Sequence, residues 1–228
     1  MKSMKIIELE VTDSTNEYCK RTDSGEDIIV TAKMQTSGKG TKGRSFSSDL
    51  GGLYISVMRH NPLAAETAFK VMIDSCTAVC KTLQRFGLSP VIRWANDVLV
   101  NGKKICGTLI ENIFSGGKVV RSIVGMGINV NNEFSRDLQD IAISMRQAAG
   151  KDFDVELVRD TLIENLQQSY TVEQYKSFID WFGHDVILNC ADGTVKAVAV
   201  DVADDGRLIC FVNGNIVKMS SAEVSLRL

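Results

Sequence analysis

The chain has 228 residues, 44% of them hydrophobic and 24% charged, and a formal net charge of −2. A chain of this size buries about 70% of the surface its unfolded form exposes, so its core needs no disulfide or metal staple. The near-neutral balance argues against a broad grip on nucleic acid or on an anionic membrane, and no apolar run approaches the roughly 20 residues of a membrane span.

The cysteines Cys19, Cys76, Cys80, Cys106, Cys190 and Cys210 show no CxxC spacing, and His60 and His184 are the only histidines. A structural zinc site wants four closely spaced Cys or His ligands. Scattered thiols in a chain this long read instead as buried apolar residues of a reduced, cytoplasmic protein. Residues 1–10 alternate charge and apolarity and lack the core of a signal peptide.

In chain order, residues 5–11 predict a strand, and Asp13-Ser14-Thr15-Asn16-Glu17 opens a short helix in which Ser14 and Glu17 fit a capping box. Residues 27–34 predict a second strand. From Gln35 to Gly52 the chain is glycine-rich, polar and basic with no period, and an irregular stretch of that length is usually functional or disordered. Residues 53–59 return to a strand. A long helix follows, with Asn61 as its cap, Pro62 in its first turn, Gly87 at its end, and an apolar stripe from Ala65 through Ile73, Cys76, Val79, Cys80 and Leu83. Cys76 and Cys80 lie on that stripe and read as core.

Strands are predicted at 91–94, 97–100, 106–113 and 119–124, with turns at Asn101-Gly102 and Gly116-Gly117. A helix is predicted over 155–170 and a further helical stretch to about Phe182. From Gly183 the pattern changes to short strands, 186–188, 195–200, 208–211, 216–219 and 224–226, separated by Asp192-Gly193, Asp205-Gly206 and Asn213-Gly214. That is enough for a small barrel. The expectation is an α+β fold, with a large domain over 1–182 and a small β domain over 183–228.

Two segments carry chemistry. Gln35 to Ser45 holds three glycines and the cations Lys39, Lys42 and Arg44. Glycines let backbone N–H groups curl around a ligand, and the cations neutralise phosphate or carboxylate; on composition alone the segment is equally a solvated loop. Gly38 to Ser45 is one residue away from a phosphate-binding P-loop, but no helix start follows it. Gly125 to Asn129 lacks the third glycine and the following helix of a dinucleotide fingerprint. The second segment is Arg93-Trp94-Ala95-Asn96-Asp97 followed by Lys103, Lys104 and Gly107. A glycine inside a strand marks close approach of a ligand or of another backbone, although a plain hairpin with exposed lysines would look the same.

Taken together and in this order, the segments resemble the biotin protein ligase family, the biotin–acetyl-CoA-carboxylase ligases. The matching motifs are Asp13 to Asn16, the loop Gln35 to Arg44, Arg93 to Asp97 with Lys104 to Gly107 behind it, Gly125 to Val130, and the tail Ser220 to Arg227. The resemblance covers essentially the whole chain. It implies a mixed sheet flanked by helices, with a small SH3-like β-barrel at the C-terminus. It also implies two-step chemistry: biotin and ATP give biotinyl-5′-AMP, and a lysine of a biotin carboxyl carrier domain, as in acetyl-CoA carboxylase, then takes the biotin.

On this resemblance, Ser14, Thr15 and Asn16 form the polar wall for biotin's ureido ring, and Gln35 also hydrogen-bonds biotin. Lys39, Gly40 and Thr41 cradle the carboxylate and later the adenylate phosphate, and Gly38 and Gly107 complete the biotin site. Lys42, Arg44, Asn96, Asp97 and Asn129 join Lys39 on ATP. Lys104 bridges carboxylate and phosphate. Lys104, Arg44 and Asp97 are the expected catalytic residues, with Asp97 as a contact for Mg²⁺. Trp94 either packs near adenine or fills the core, core being favoured. Thr41 and Lys39 stand where the family's loop usually carries arginine, which implies weaker retention of the adenylate unless Lys42 replaces the charge. Ala95 stands where the family has proline. With the first motif starting at Asp13, a monofunctional ligase without a DNA-binding domain is expected, and a homodimer is compatible with the family. The rivals are a lipoate or octanoate transferase on a related fold and a biotin-binding module that has lost catalysis.

Overall fold

The computed structural model describes residues 4–60, 63–64, 68–190, 193–221 and 225–227. The first half of the chain builds a mixed sheet from β1 (Lys5–Thr12), β2 (Ile28–Gln35), β3 (Leu53–Arg59), β5 (Val91–Arg93), β6 (Asp97–Val100), β7 (Lys103–Ser115) and β8 (Lys118–Ile128). Its order is β1-β2-β3-β8-β7-β6-β5, with the short β4 (Leu63–Ala64) paired to β8. β1 and β2 run parallel, joined through α1 (Thr15–Arg21), and the remaining pairs are antiparallel. The turns between β6, β7 and β8 follow from Asn101-Gly102 and Gly116-Gly117, all four with positive φ, as two-residue hairpin turns of the primed type require.

Successive strand residues face opposite sides, and the sheet is covered on both. On one side α2 (Lys70–Arg85), α4 (Val155–Asn165) and α5 (Val172–Lys176) cover Ile29, Ile55, Val57, Val124, Met126 and Ile128. On the other, α1 brings Cys19 against Ile28, Val30, Met58 and Ile123. This second layer is thin, because one short helix covers only part of the face.

Residues 185–227 form a second, antiparallel sheet, β9 (Asp185–Cys190), β10 (Gly193–Val202), β11 (Leu208–Val212), β12 (Asn215–Met219) and β13 (Ser225–Arg227), in the order β12-β11-β10-β9-β13. Its inner residues Val186, Leu188, Ala197, Ala199, Val202 and Leu208 join the same apolar core as the large sheet. One indole fastens the join, with Trp94 Nε1 donating to the Gly206 carbonyl at 3.0 Å, while Trp181 Nε1, just ahead of β9, donates to the Ile92 carbonyl of β5 at 2.7 Å. Trp94 is thus a core residue.

Several elements differ from the sequence expectation. The long helix begins at Lys70, since Leu63 and Ala64 first pair with Val119 and Lys118 of β8; the expected cap Asn61, Pro62 and Ala65 lie outside the described residues, as does Asp192. The stripe through Ile73, Cys76, Val79, Cys80 and Leu83 is buried as expected. The expected capping box at Ser14 does not form. Ser14 occupies the N-cap position, but its hydroxyl makes no cap bond, and Glu17 turns outward to Lys20 and Lys39. The helix expected over 155–170 ends at Asn165, and the next is confined to Val172–Lys176. A short α3 (Met145–Ala149), closed by a Ser144–Gln147 capping box, was not anticipated.

Gly206 has φ +82°, and a Cβ there would overlap the Phe69 ring. Gly206→Ala combines left-handed strain with overpacking at the contact between the sheets and is expected to cost about 1–3 kcal/mol. A urea midpoint equal to wild type's would show that this contact does not hold the sheets together.

Candidate active site

The thin face of the large sheet carries a small cleft over Gly107, Gly125 and Gly127. Its floor exists because side chains are missing. Gly107 of β7 pairs with Gly127 of β8, and Leu109 pairs with Gly125, which in turn pairs with Ser56 of β3. A Cβ at Gly125 would collide with Asn16 Oδ1, and one at Gly127 would lie 2.5 Å from the Phe46 ring. A Cβ at Gly107 would lie 2.8 Å from Lys104 Cε. The close approach expected at Gly107 is therefore made by Lys104 and Phe46.

One end of the cleft is a neutral hydrogen-bonding wall. The Thr15 N–H and hydroxyl both donate to Gln35 Oε1, at 2.8 and 3.1 Å. Gln35 Nε2 donates to Ser48 Oγ at 2.8 Å, which donates to the Phe46 carbonyl. Ser56 Oγ lies 2.7 Å from Thr15 Oγ1 and 2.6 Å from Asn16 Oδ1. Asn16 Nδ2 donates to Glu111 Oε2 at 2.8 Å. Ser14, Thr15 and Asn16 are buried and all three line the cleft.

The opposite end is cationic. A register shift between β6 and β7 pairs Val98 with Cys106 and Leu99 with Lys104, leaving Ile105 as the extra residue. A bulge of this kind re-aims side chains; here it sends Ile105 into the core and Lys104 onto the glycine face. Lys104 Nζ then bonds Asp97 Oδ1 at 2.7 Å, and Arg93 holds Asp97 Oδ2 at 2.6 Å. Burial works to raise the Asp97 pKa, but Lys104 and Arg93 outweigh it and hold the carboxyl below its ordinary value. Two cations share one carboxylate, so this end keeps one net positive charge. The Lys104 backbone is fixed from behind, by hydrogen bonds with Ile141 and Ile143 and by the Asn129 amide on its carbonyl at 3.3 Å.

The glycine-rich segment folds back over the cleft instead of running irregularly. Lys39 pairs with Ser45 as an isolated bridge, Gly40 N–H donates to the Arg44 carbonyl and Phe46 N–H to the Gly38 carbonyl. A single turn, Thr41–Gly43, forms the tip. Lys39 Nζ is held by Glu17 at 2.7 Å.

Of the residues expected at the site, Ser14, Thr15, Asn16, Gln35, Lys39, Gly40, Thr41, Asn96, Lys104 and Gly107 line this one cleft. Gly38 is buried behind the loop, and Lys42 and Arg44 are exposed at its tip. Asp97 and Asn129 stand behind Lys104 and not in the cleft wall. Asn96 is pinned across to Thr108 by two hydrogen bonds. Ala95 is buried, and its carbonyl accepts from Tyr175 at 2.8 Å. Both oxygens of Asp97 are occupied by cations, so its donor set does not suit Mg²⁺. Among the described residues no three His, Cys, Asp or Glu side chains converge.

Phe46, Thr108, Leu109, Gly125, Met126 and Gly127 also line the cleft, with Ser48, Ser56 and Glu111 behind it, and sequence reasoning missed these roles. The alternation Gly125-x-Gly127 inside a strand pattern was the available signal. The thiols stay out of the chemistry: Cys76 and Cys106 are fully buried, and burial pushes the Cys76 pKa up to about 12.

The cleft and its sheet define a ligase-type domain. The chain belongs to the biotin/lipoate A/B protein ligase family, whose model matches residues 8–129. The fold is that of the biotin protein ligase from Aquifex aeolicus solved in complex with biotin and ATP, with a TM-score of 0.82 and 28% identity over 98% of each chain. In sequence the chain is 29% identical over 233 residues to the bifunctional ligase/repressor BirA of Bacillus subtilis (strain 168), covering 96% of this chain and 72% of that one. It is 31% identical over 128 residues to the biotin–[acetyl-CoA-carboxylase] ligase of Paracoccus denitrificans, 52% of each. Among the described residues no helix is long and apolar enough to cross a membrane.

Because the folded pKa of Asp97 is depressed, the stability it contributes is present above the unfolded value near 4 and is lost as pH falls through the lower folded value. Asp97→Asn is expected to cost about 1–3 kcal/mol at pH 7, with the difference from wild type shrinking below about pH 4. Denaturant titrations at pH 7 and pH 3 measure this; a deficit equal at both values would mean that charge is not the cause.

Proposed function

We propose that the chain activates biotin with ATP and transfers it to a lysine of a biotin carboxyl carrier domain such as that of acetyl-CoA carboxylase. The observation that carries this reading is the polarity of the cleft from end to end. A neutral wall of Thr15, Asn16 and Gln35 lies at one end, Phe46 and Leu109 line the apolar middle, and Lys104 stands at the cationic end. Biotin has the same sequence of parts: a ureido ring, an apolar body and chain, and a carboxylate. The biotin protein ligase from Aquifex aeolicus, solved with biotin and ATP, shares the fold over 98% of each chain. A lipoyl or octanoyl group presents no ureido donors or carbonyl to this wall and so gains nothing from Thr15, Asn16 and Gln35.

In the first step a biotin carboxylate oxygen attacks the ATP α-phosphorus, the bond to the β-phosphate breaks, and pyrophosphate leaves. Two anions must meet, and preorganised cations offset their repulsion most effectively where little reorganisation is needed. Lys104 is held in place by Asp97 and by its pinned backbone, and it faces both groups. Asn96 orients the nucleotide, while Lys39, Lys42 and Arg44 supply further charge from the loop. ATP enters as its Mg²⁺ complex, with the ion carried by the phosphates. In the second step the carrier lysine amine attacks the acyl carbon and AMP leaves. The folded-back loop, residues 38–46, shields the mixed anhydride from water until then. Residues 1–182 act as the ligase domain and 183–228 as a small β domain beside it.

The direct test supplies radiolabelled biotin, ATP, Mg²⁺ and a carrier domain. Label is expected on the carrier, and transfer of lipoate but not biotin would overturn the reading. Lys104→Ala is expected to cut biotin-dependent pyrophosphate exchange by about a hundredfold or more while the circular dichroism spectrum stays unchanged; exchange at the wild-type rate would remove Lys104 from the reaction. Thr41→Arg adds a charged donor beside the phosphate and is expected to slow loss of biotinyl-5′-AMP about ten- to a hundredfold, read by chasing preformed adenylate. An unchanged rate would mean that the loop's present lysines already supply that charge.

A further inference from the structure

We propose that Glu111 is a positioning residue that fixes the polarity of the Asn16 amide and thereby makes the cleft selective for a cyclic urea. This rests on the reading of the cleft as a biotin site.

A side-chain amide is nearly symmetric in shape but opposite in chemistry at its two ends. Asn16 is buried and lines the neutral end of the cleft. Its Oδ1 meets the Ser56 hydroxyl at 2.6 Å, and its Nδ2 meets Glu111 Oε2 at 2.8 Å. Ser56 does not decide the orientation, because a hydroxyl both donates and accepts and would serve a flipped amide equally well. Gly125, on the third side, offers no side chain. Among the described residues Glu111 alone breaks the symmetry: a carboxylate only accepts, so a flipped Asn16 would set oxygen against oxygen.

Glu111 is itself held from behind. Lys20 Nζ bonds Glu111 Oε1 at 2.7 Å and Glu17 at 2.8 Å. Glu17 also takes Lys39 of the glycine-rich loop at 2.7 Å. The carboxylate is thus fixed in place and balanced in charge without entering the cleft. A ureido ring presents one carbonyl acceptor and two N–H donors, so a wall of fixed polarity pairs with it and a wall free to flip does not discriminate.

The test measures binding of biotin and of 2-iminobiotin, in which a nitrogen donor group replaces the ureido oxygen, by calorimetry on the full chain. In Glu111→Gln the new amide both donates and accepts, so the lock is lost. Biotin affinity is expected to fall about tenfold, the preference for biotin over 2-iminobiotin to narrow, and KM for ATP to stay unchanged. Lys20→Met, which leaves Glu111 in place but loosens it, is expected to shift the preference in the same direction by less. A preference unchanged in both variants, even with weaker binding overall, overturns the proposal and leaves Glu111 a structural residue. A wild-type chain that binds no biotin overturns the reading of the cleft itself.

Discussion

The site depends on a strip of sheet with no side chains. Gly107, Gly125 and Gly127 lie side by side on the face that α1 only partly covers. Everything that forms the cleft rests in that space: the Asn16 amide against Gly125, the Phe46 ring against Gly127, and the stem of Lys104 against Gly107. Glycine inside a strand weakens it, and here the deficit falls on central strands. The opposite face offsets it, since Met126 and Ile128 on β8 and Cys106 on β7 are buried in the main core. One side of the same strands supplies stability while the other is cleared for a ligand.

Upon that floor the cation is positioned before any substrate arrives. The β6–β7 bulge chooses the face, Asp97 chooses the direction, and the strand-like contact of Lys104 with residues 141–143 fixes the height. A lysine on a flexible stem ordinarily loses considerable rotamer freedom on being ordered. Here folding has already ordered it, so substrate binding need not. The arrangement also explains why Asp97 is better read as an anchor than as a metal ligand, because both of its oxygens are occupied by the cations they orient.

Much of this was legible in the sequence, and the rest was not, for physical reasons. Strand periods and the Asn-Gly and Gly-Gly turns placed β1 to β3 and the β6–β7–β8 meander, because local chemistry dictates them. The order of the motifs pointed to the family, and ten of the expected site residues share one cleft. Asp97 and Asn129 were expected on the nucleotide, yet they stand behind Lys104, since residue type does not reveal which shell a polar group occupies. Ser56 and Glu111 were invisible for the same reason: their partner is Asn16, 40 and 95 positions away in the chain. The start of α2 was misplaced because the cap signals around Asn61 and Pro62 precede a short pairing of Leu63–Ala64 with β8, a tertiary contact that local pattern does not encode.

The bond from Trp94 to the Gly206 carbonyl has a consequence for the site. Trp94 stands two residues before Asn96 and three before Asp97, and its indole N–H finds its acceptor more than a hundred positions later, in a turn of the second sheet. Without the second sheet that N–H has no Gly206 carbonyl to donate to, and the indole loses part of its cover. The segment leading into Asn96 and Asp97 is therefore fastened by the turn between β10 and β11. The small sheet thus reaches the site without entering it: its turn steadies the indole two residues ahead of Asn96, a link that runs through the core and not through the cleft.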